Sequence, residues 1–227
     1  MRHPHPREHP FEVLKSYYDS VDEKKIDSGR SYKKTAVGQF VPSPILDVHF
    51  ALEYLLEAEV LEPAGLFLDA GSGDGRVVAL TSLVHSISTV GVEYDSELVG
   101  QSRQHLEGLE RLGLRGASEV ILHGDFGHDD TYLQTGLKFE DFATVFNYIS
   151  NQNAIASKVA QQSPPGTLFL LFGAFAVHNY QGLTLEQNLQ LVTKVDSGDR
   201  IREQIHPITN DASLMEPHAT YLQVYRR

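Results

Sequence analysis

Short apolar runs alternate with longer stretches of helical spacing from residue 66 onward. Leu66–Ala70, Thr89–Glu93, Glu119–His123, Phe142–Tyr148 and residues 167–172 are β-prone and short enough for strands. Between them, residues 75–84, 96–112 and 151–162 carry apolar positions at helical spacing, with Ser96 and Asn151 as candidate caps. Strands that alternate with helices predict a parallel sheet covered on both faces. The tail changes character. Residues 189–195 and 221–225 read as two late strands, joined through a loop-rich stretch at 207–217. The expected fold is α/β, a Rossmann-like seven-stranded, mostly parallel sheet that ends in an antiparallel hairpin.

Before the first strand the pattern is weaker. Residues 1–10 hold three prolines and three histidines and predict a poorly ordered end. Phe11, Leu14, Tyr17 and Tyr18 suit a short amphipathic helix over 11–18. Residues 19–34 are charged and contain Gly29, which predicts a surface linker or a second short helix. Phe40-Val41-Pro42-Ser43-Pro44 is stiff and extended, because a proline disfavours helix at the residue before it. Ser43 is then a candidate cap, with Pro44 opening a helix over 44–61. Residues 1–40 are thus an arm or possible lid, and 41–227 the main domain.

The candidate chemistry begins where the first strand ends. In Phe67-Leu68-Asp69-Ala70-Gly71-Ser72-Gly73-Asp74-Gly75-Arg76 an apolar run stops at an acid, and three glycines follow at every second position. A strand, a tight glycine turn and a helix N-terminus let backbone approach a ligand closely and offer unpaired N–H groups to it. A dinucleotide fingerprint would share Gly71 and Gly73, but its third glycine falls on Arg76, too large for the close helix–strand packing that glycine serves.

The acid-x-Gly-x-Gly-x-Gly pattern resembles the first motif of class I S-adenosylmethionine (SAM) methyltransferases. The resemblance implies that Asp69, Ala70, Gly71, Ser72 and Gly73 hold the methionine part of the cofactor, the acid through its amino group. Glu93, at the end of the second strand, can accept from both ribose hydroxyls, with Tyr94 beside it and Asp95 as the next choice. Its competing role is to cap the next helix. In His123-Gly124-Asp125-Phe126 the resemblance puts Asp125 on the adenine amine and Phe126 on the ring, against a turn acid and a core filler. Asn147 and Tyr148, at the end of the fourth strand, present polar groups where the transferring methyl and the acceptor should meet; Asn147 could equally be a turn former.

With Phe40-Val41-Pro42-Ser43-Pro44 and Val90-Gly91-Val92-Glu93-Tyr94-Asp95 the chain looks most like small lysine methyltransferases, those of the ATP-synthase c subunit, their prokaryotic relatives and the non-SET histone type. This implies SAM as cofactor, S-adenosylhomocysteine as product and a methyl acceptor that is a protein lysine or a small molecule. Phe40 would touch the cofactor, with residues 32–40 as a lid. A non-catalytic SAM-binding module and a NAD-dependent oxidoreductase remain as alternatives. A base is needed only for a protonated acceptor; His178, after the fifth strand, is a candidate, and His128, Asp129 and Asp130 read as a solvated loop.

Composition narrows the partners. A net charge of −11 argues against general nucleic-acid binding. Cysteine is absent, so there is no disulfide framework or thiolate zinc site. No acid or rigid element frames His3, His5 and His9, and no metal site is expected. No apolar run is long enough to span a bilayer, and the N-terminus lacks the apolar core of a signal peptide, so a cytoplasmic location is expected.

Overall fold

A computed structural model of the chain describes residues 9–27, 33–35, 38–148, 150–173, 177–196, 199–207 and 220–227. Among them, eight strands form one sheet: β3 (Leu66–Ala70), β4 (Thr89–Glu93), β5 (Glu119–His123), β6 (Phe142–Tyr148), β7 (Leu168–Phe172), β8 (Thr184–Asp196), β9 (Asp199–Pro207) and β10 (Thr220–Arg226), in the order β5-β4-β3-β6-β7-β10-β8-β9. The first five are parallel, and β10 enters antiparallel between β7 and β8. Seven of these strands are the expected sheet with its closing hairpin. β9 is an eighth strand, paired antiparallel to β8 at the edge, over residues the sequence pattern left without an element.

The side-chain period of two splits the core. Phe67, Phe146, Leu170 and Phe172 face one cluster, which collects α1 (Pro10–Asp27), α2 (Ile45–Glu57), α3 (Arg76–Ala79) and α4 (Ser96–Arg111). Leu68, Val145, Phe169 and Leu171 face the other, with Tyr132 of α5 (Asp129–Leu133) and Ile155 and Val159 of α6 (Gln152–Gln162). Helices therefore cover both faces, as the alternation requires.

Several boundaries differ from expectation, each for a local reason. α1 runs 18 residues instead of stopping at Tyr18. Its buried stripe is Phe11, Leu14 and Tyr18, and it continues through Asp22 and Lys25, which are held by ion pairs rather than apolar contacts. Ser43 does not cap α2: Pro44 is the N-cap residue, with no side-chain cap bond. α4 is capped by Asp95 rather than Ser96, its Oδ1 accepting from the N–H groups of Glu97 and Leu98 at 3.0 and 3.1 Å. Asn151 stands at the N-cap position of α6 in a left-handed conformation, with no side-chain cap bond. After α3 the same helix widens into a π turn over Leu80–Val84.

The arm folds back as a two-stranded ribbon, β1 (Lys33–Thr35) with β2 (Gly38–Phe40). Tyr32, at the start of the expected lid, lies outside the described residues, as do His3 and His5.

Candidate functional site

The chain order reverses around β3, whose neighbours are β4 and β6. A cleft at the carboxyl ends of the strands is the expected ligand site of such a sheet. One of about 340 Å³ is present, lined by the glycine turn, Glu93, Tyr94, Asp125, Phe126, Tyr148, Ser150, Asn151 and the ribbon residues Thr35, Gln39 and Phe40.

The turn is stitched to β4. The N–H groups of Gly71 and Ser72 donate to the carbonyl of Val92 at 2.9 and 3.0 Å. The Gly73 N–H donates to Glu93 Oε2 at 2.8 Å. Gly71 and Gly73 have φ of 91° and 54°, the left-handed region that side chains disfavour. A Cβ at Gly73 would overlap the ring of Phe40, so the ribbon touches the turn directly. Phe40 therefore lines the cleft beside the turn.

Asp69 is 3% exposed and lines the cleft, and its Oδ2 has no hydrogen-bond partner. Burial, then the nearby Glu93 and Asp74 carboxylates, push its carboxyl up to about 8. Ser72 Oγ is buried and unpartnered in the same wall. A buried acid without a partner is costly. A cationic amino group delivered by a ligand would complete it. The residues thus fit the methionine end of SAM.

Glu93 is buried, not exposed at the mouth of the sheet. Oε1 accepts from the Asp95 N–H and Oε2 from Gly73, both at 2.8 Å, so this carboxylate joins the turn to the helix cap. Each oxygen keeps a lone pair for a ligand hydroxyl. Asp125 is half-buried, and its Oδ1 accepts from the Gly127 N–H at 2.7 Å, so the turn-acid role is real; Asp125 nevertheless lines the cleft. Phe126 lines the cleft and packs on the second core cluster. Tyr94 is 48% exposed at the rim.

Asn147 is corrected from a substrate-facing group to a structural one. It is fully buried; its Nδ2 donates to the carbonyls of Ala70 and Ser150 at 2.7 and 2.9 Å, and its Oδ1 accepts from the Ser150 N–H at 3.2 Å. It ties the end of β3 to the loop after β6 and is absent from the cleft lining, as is Ala70, which contributes that carbonyl. Tyr148 does line the cleft, its ring 5.9 Å from that of Phe172.

Asp74 and Arg76 were not anticipated as cleft residues. Asp74 is 1% exposed, and Arg76 with Lys25 holds its carboxyl down at about 2 against the opposing effect of burial. The acid-x-Arg pair inside a glycine turn was the available signal. Ser150, Asn151, Thr35 and Gln39 had none beyond their loop positions. His178 is not among the lining residues; its carbonyl accepts from the Tyr225 hydroxyl at 2.9 Å. Asp129 pairs with Lys158 at the start of α5, outside the lining. The described residues contain no cluster of three or more His, Cys, Asp or Glu placed to hold a metal, and no helix among them is long and apolar enough to cross a membrane.

No protein-family model and no curated protein matches the chain. Solved structures do. The chain is similar to a protein solved in work on the conversion of a disulfide bond into a thioacetal group during echinomycin biosynthesis, at 15% identity over 92% of each chain and a TM-score of 0.51. Further matches are an RNA methyltransferase from Salinibacter ruber in complex with S-adenosyl-L-homocysteine (20% identity, 82% of this chain and 92% of that one, TM-score 0.46) and precorrin-6y C5,15-methyltransferase from Geobacter metallireducens GS-15 (15%, 77% and 87%, 0.46). The likeness is one of fold: the Rossmann-like sheet with its antiparallel closing strand is the architecture that the resemblance to class I methyltransferases implied.

Proposed function

We propose that this chain is a SAM-dependent methyltransferase whose domain spans 41–227, with 1–40 as an arm over its site. The observation that carries this reading is Asp69: a buried carboxyl with a free oxygen, at the end of the central strand, in a cleft that also holds Glu93 and Asp125. Three acids on successive strand ends suit an ammonium, a ribose diol and an exocyclic amine in turn. When bound, SAM supplies an activated methyl on a sulfonium.

The chain's own residues do the rest. Asp69 takes the amino group and gives up its proton as it does so. Glu93 accepts from ribose hydroxyls while it keeps the turn closed. Asp125 and Phe126 set the adenine. Phe40 and the ribbon exclude water above the turn. Tyr148, Ser150 and Asn151 orient the acceptor for in-line attack.

That acceptor wall, with Thr35 and Gln39, is neutral among the described residues. A lysine ammonium must lose a proton before it attacks, and this wall offers no carboxylate or imidazole to take one. The wall favours a small acceptor with a free lone pair over a protein lysine, and the net charge of −11 favours it over a nucleic acid. The lysine-methyltransferase resemblance has no counterpart among the solved structures described above. The second reading, a SAM-binding module without transfer, rests on the same absence of a base. Arg76 in the third glycine position speaks against a nicotinamide enzyme.

Calorimetry tests the cofactor. One S-adenosylhomocysteine should bind per chain, and Gly73→Val should abolish it in a folded protein, through the turn conformation and the Phe40 ring. Binding of NAD but not of S-adenosylhomocysteine overturns the reading. Transfer of labelled methyl from SAM into a fractionated extract separates enzyme from module, and the fraction labelled names the acceptor class.

A further inference from the structure

Helix α1 lies before the domain proper, yet three of its side chains reach the glycine turn. Tyr18 places its ring 4.9 Å from the Arg76 guanidinium. One turn on, Asp22 takes Nη1 and Nη2 of Arg76 at 3.0 and 2.8 Å. Arg76 in turn gives Nε and Nη2 to Asp74 at 3.0 and 2.8 Å, and Nη1 also approaches the Ser43 carbonyl at 3.5 Å. That uses all five guanidinium N–H groups. Arg76 is 4% exposed and has no donor left for a ligand carboxylate. Three residues after Asp22, the Lys25 ammonium sits 3.1 Å from Asp74 Oδ2 and 5.3 Å from the Phe40 ring centroid. Phe40 itself packs on Gly73.

Two routes therefore run from α1 to the cleft. One goes through Asp22 and Arg76 to Asp74, the residue after Gly73. The other goes through Lys25 to Phe40. A second cavity, of about 450 Å³ and lined by Lys15, Tyr18, Asp22, Ser43 and Arg76 among others, separates this part of α1 from residues 42–46. Ser43 and Arg76 belong to both cavities. The later turns of α1 are thus tied to the turn by direct ion pairs that border an open space rather than by close apolar packing.

We propose that Asp22 and Lys25 are positioning residues for cofactor binding: acting through the Arg76–Asp74 pair and Phe40, they hold the glycine turn and the ribbon in register. α1 is then part of the cofactor site rather than a scaffold beside it. The inference rests on the reading of the cleft as a SAM site. Bidentate guanidinium–carboxylate pairs fix geometry as well as energy, which is what a turn with three left-handed glycines requires.

The test uses the full chain and S-adenosylhomocysteine as the probe. Asp22→Asn and Lys25→Met should each weaken its binding about tenfold in calorimetry while thermal unfolding shows a folded domain. Asp22→Glu should restore affinity to within about threefold, since it keeps the charge. Equal affinity in the unmodified chain and both folded variants overturns the inference and leaves the cofactor reading intact. Loss of affinity that tracks loss of thermal stability, without rescue by glutamate, reduces Asp22 to a structural tie and also overturns it. No binding by the unmodified chain overturns the cofactor reading first, and this inference with it.

Discussion

Asp69 and Asp74 stand at the two ends of one glycine turn, five positions apart, both buried and both in the same cleft. Their surroundings drive them in opposite directions. Asp74 meets Arg76 and Lys25 and stays ionised down to about pH 2. Asp69 meets burial and two like charges, and its carboxyl rises to about 8. A charge matched inside the fold serves the fold. A charge site left unmatched at the mouth of a cleft waits for something from outside. The turn is therefore built at its helix end and completed by a ligand at its strand end.

The strongest way to break this contrast is to remove the partner at the helix end. Arg76→Met strips Asp74 and Asp22 of their shared cation and leaves a buried carboxylate with Lys25 alone. Losing one member of a buried pair costs about 3–5 kcal/mol, so urea unfolding should show a loss of that order. A change below about 1 kcal/mol would mean the Asp74 end is not built as the contrast requires.

At the other end the expected loss lies in binding. Asp69→Asn should weaken S-adenosylhomocysteine by about 1.5–3 kcal/mol, the worth of a hydrogen bond to a charged group, with no loss of stability at pH 7. The pH dependence has opposite signs at the two ends. Asp74 is depressed below its unfolded value of about 4, so the stability it contributes is present above that pH and lost as pH falls toward 2. Asp69 is raised, so its contribution is full below about pH 4 and lost as pH rises through 8. A bound ammonium reverses that raise, so affinity for S-adenosylhomocysteine should increase from about pH 6 to 8, by at most about tenfold per unit, and Asp69→Asn should flatten the profile. An unmodified chain with a flat profile would show that Asp69 is not the group that meets the amino group.

Much of this site was legible in the chain. The strand–turn–helix around Asp69 rests on a local apolar run and on glycines that only a special backbone needs, so both periodicity and turn chemistry register there. The later half of α1 did not register, although its side chains follow the helical stripe Phe11, Leu14, Tyr18, Asp22, Lys25. Its last two members are charged and find partners 49 to 54 residues away, which no apolar periodicity contains. Asn147 was legible as a polar residue at a strand end, but two of its three bonds depend on the path of residues 147–150 after β6, and the third reaches Ala70 on the neighbouring strand, 77 residues away. β9 was missed because its polar alternation resembles a loop until β8 supplies the edge to pair with. Capping moved by one residue at both Ser43 and Ser96, the usual scale of boundary error.

Glu93 lies between the two ends and belongs to both. Its oxygens hold the N–H groups of Gly73 and Asp95, so Glu93→Ala should cost about 1–3 kcal/mol in stability as well as in cofactor affinity. Glu93→Gln keeps an acceptor and offers a donor. It should lose affinity for S-adenosylhomocysteine by about 1–2 kcal/mol with a smaller loss of stability. If Glu93→Ala unfolds at the same urea concentration as the unmodified chain, the link between turn and helix cap is not carried by this side chain.

The smallest effect is expected at Asp125, which tests whether burial is what separates matched from unmatched acids. This carboxylate is half-buried, and one oxygen already accepts from Gly127. Water solvates it when the cleft is empty, so the free chain does not need a ligand charge at this position. Asp125→Asn keeps one acceptor oxygen, whose two lone pairs can serve the Gly127 N–H and an adenine amine, and affinity for S-adenosylhomocysteine should stay within about threefold. Asp125→Ala removes both and should cost about 1 kcal/mol, less than either change at Asp69 or Glu93. Calorimetry on the pair of variants decides the matter. A loss at Asp125→Asn as large as at Asp69→Asn would show that a charge, not merely an acceptor, is required at this half-buried site, and the division of the cleft by burial would fail.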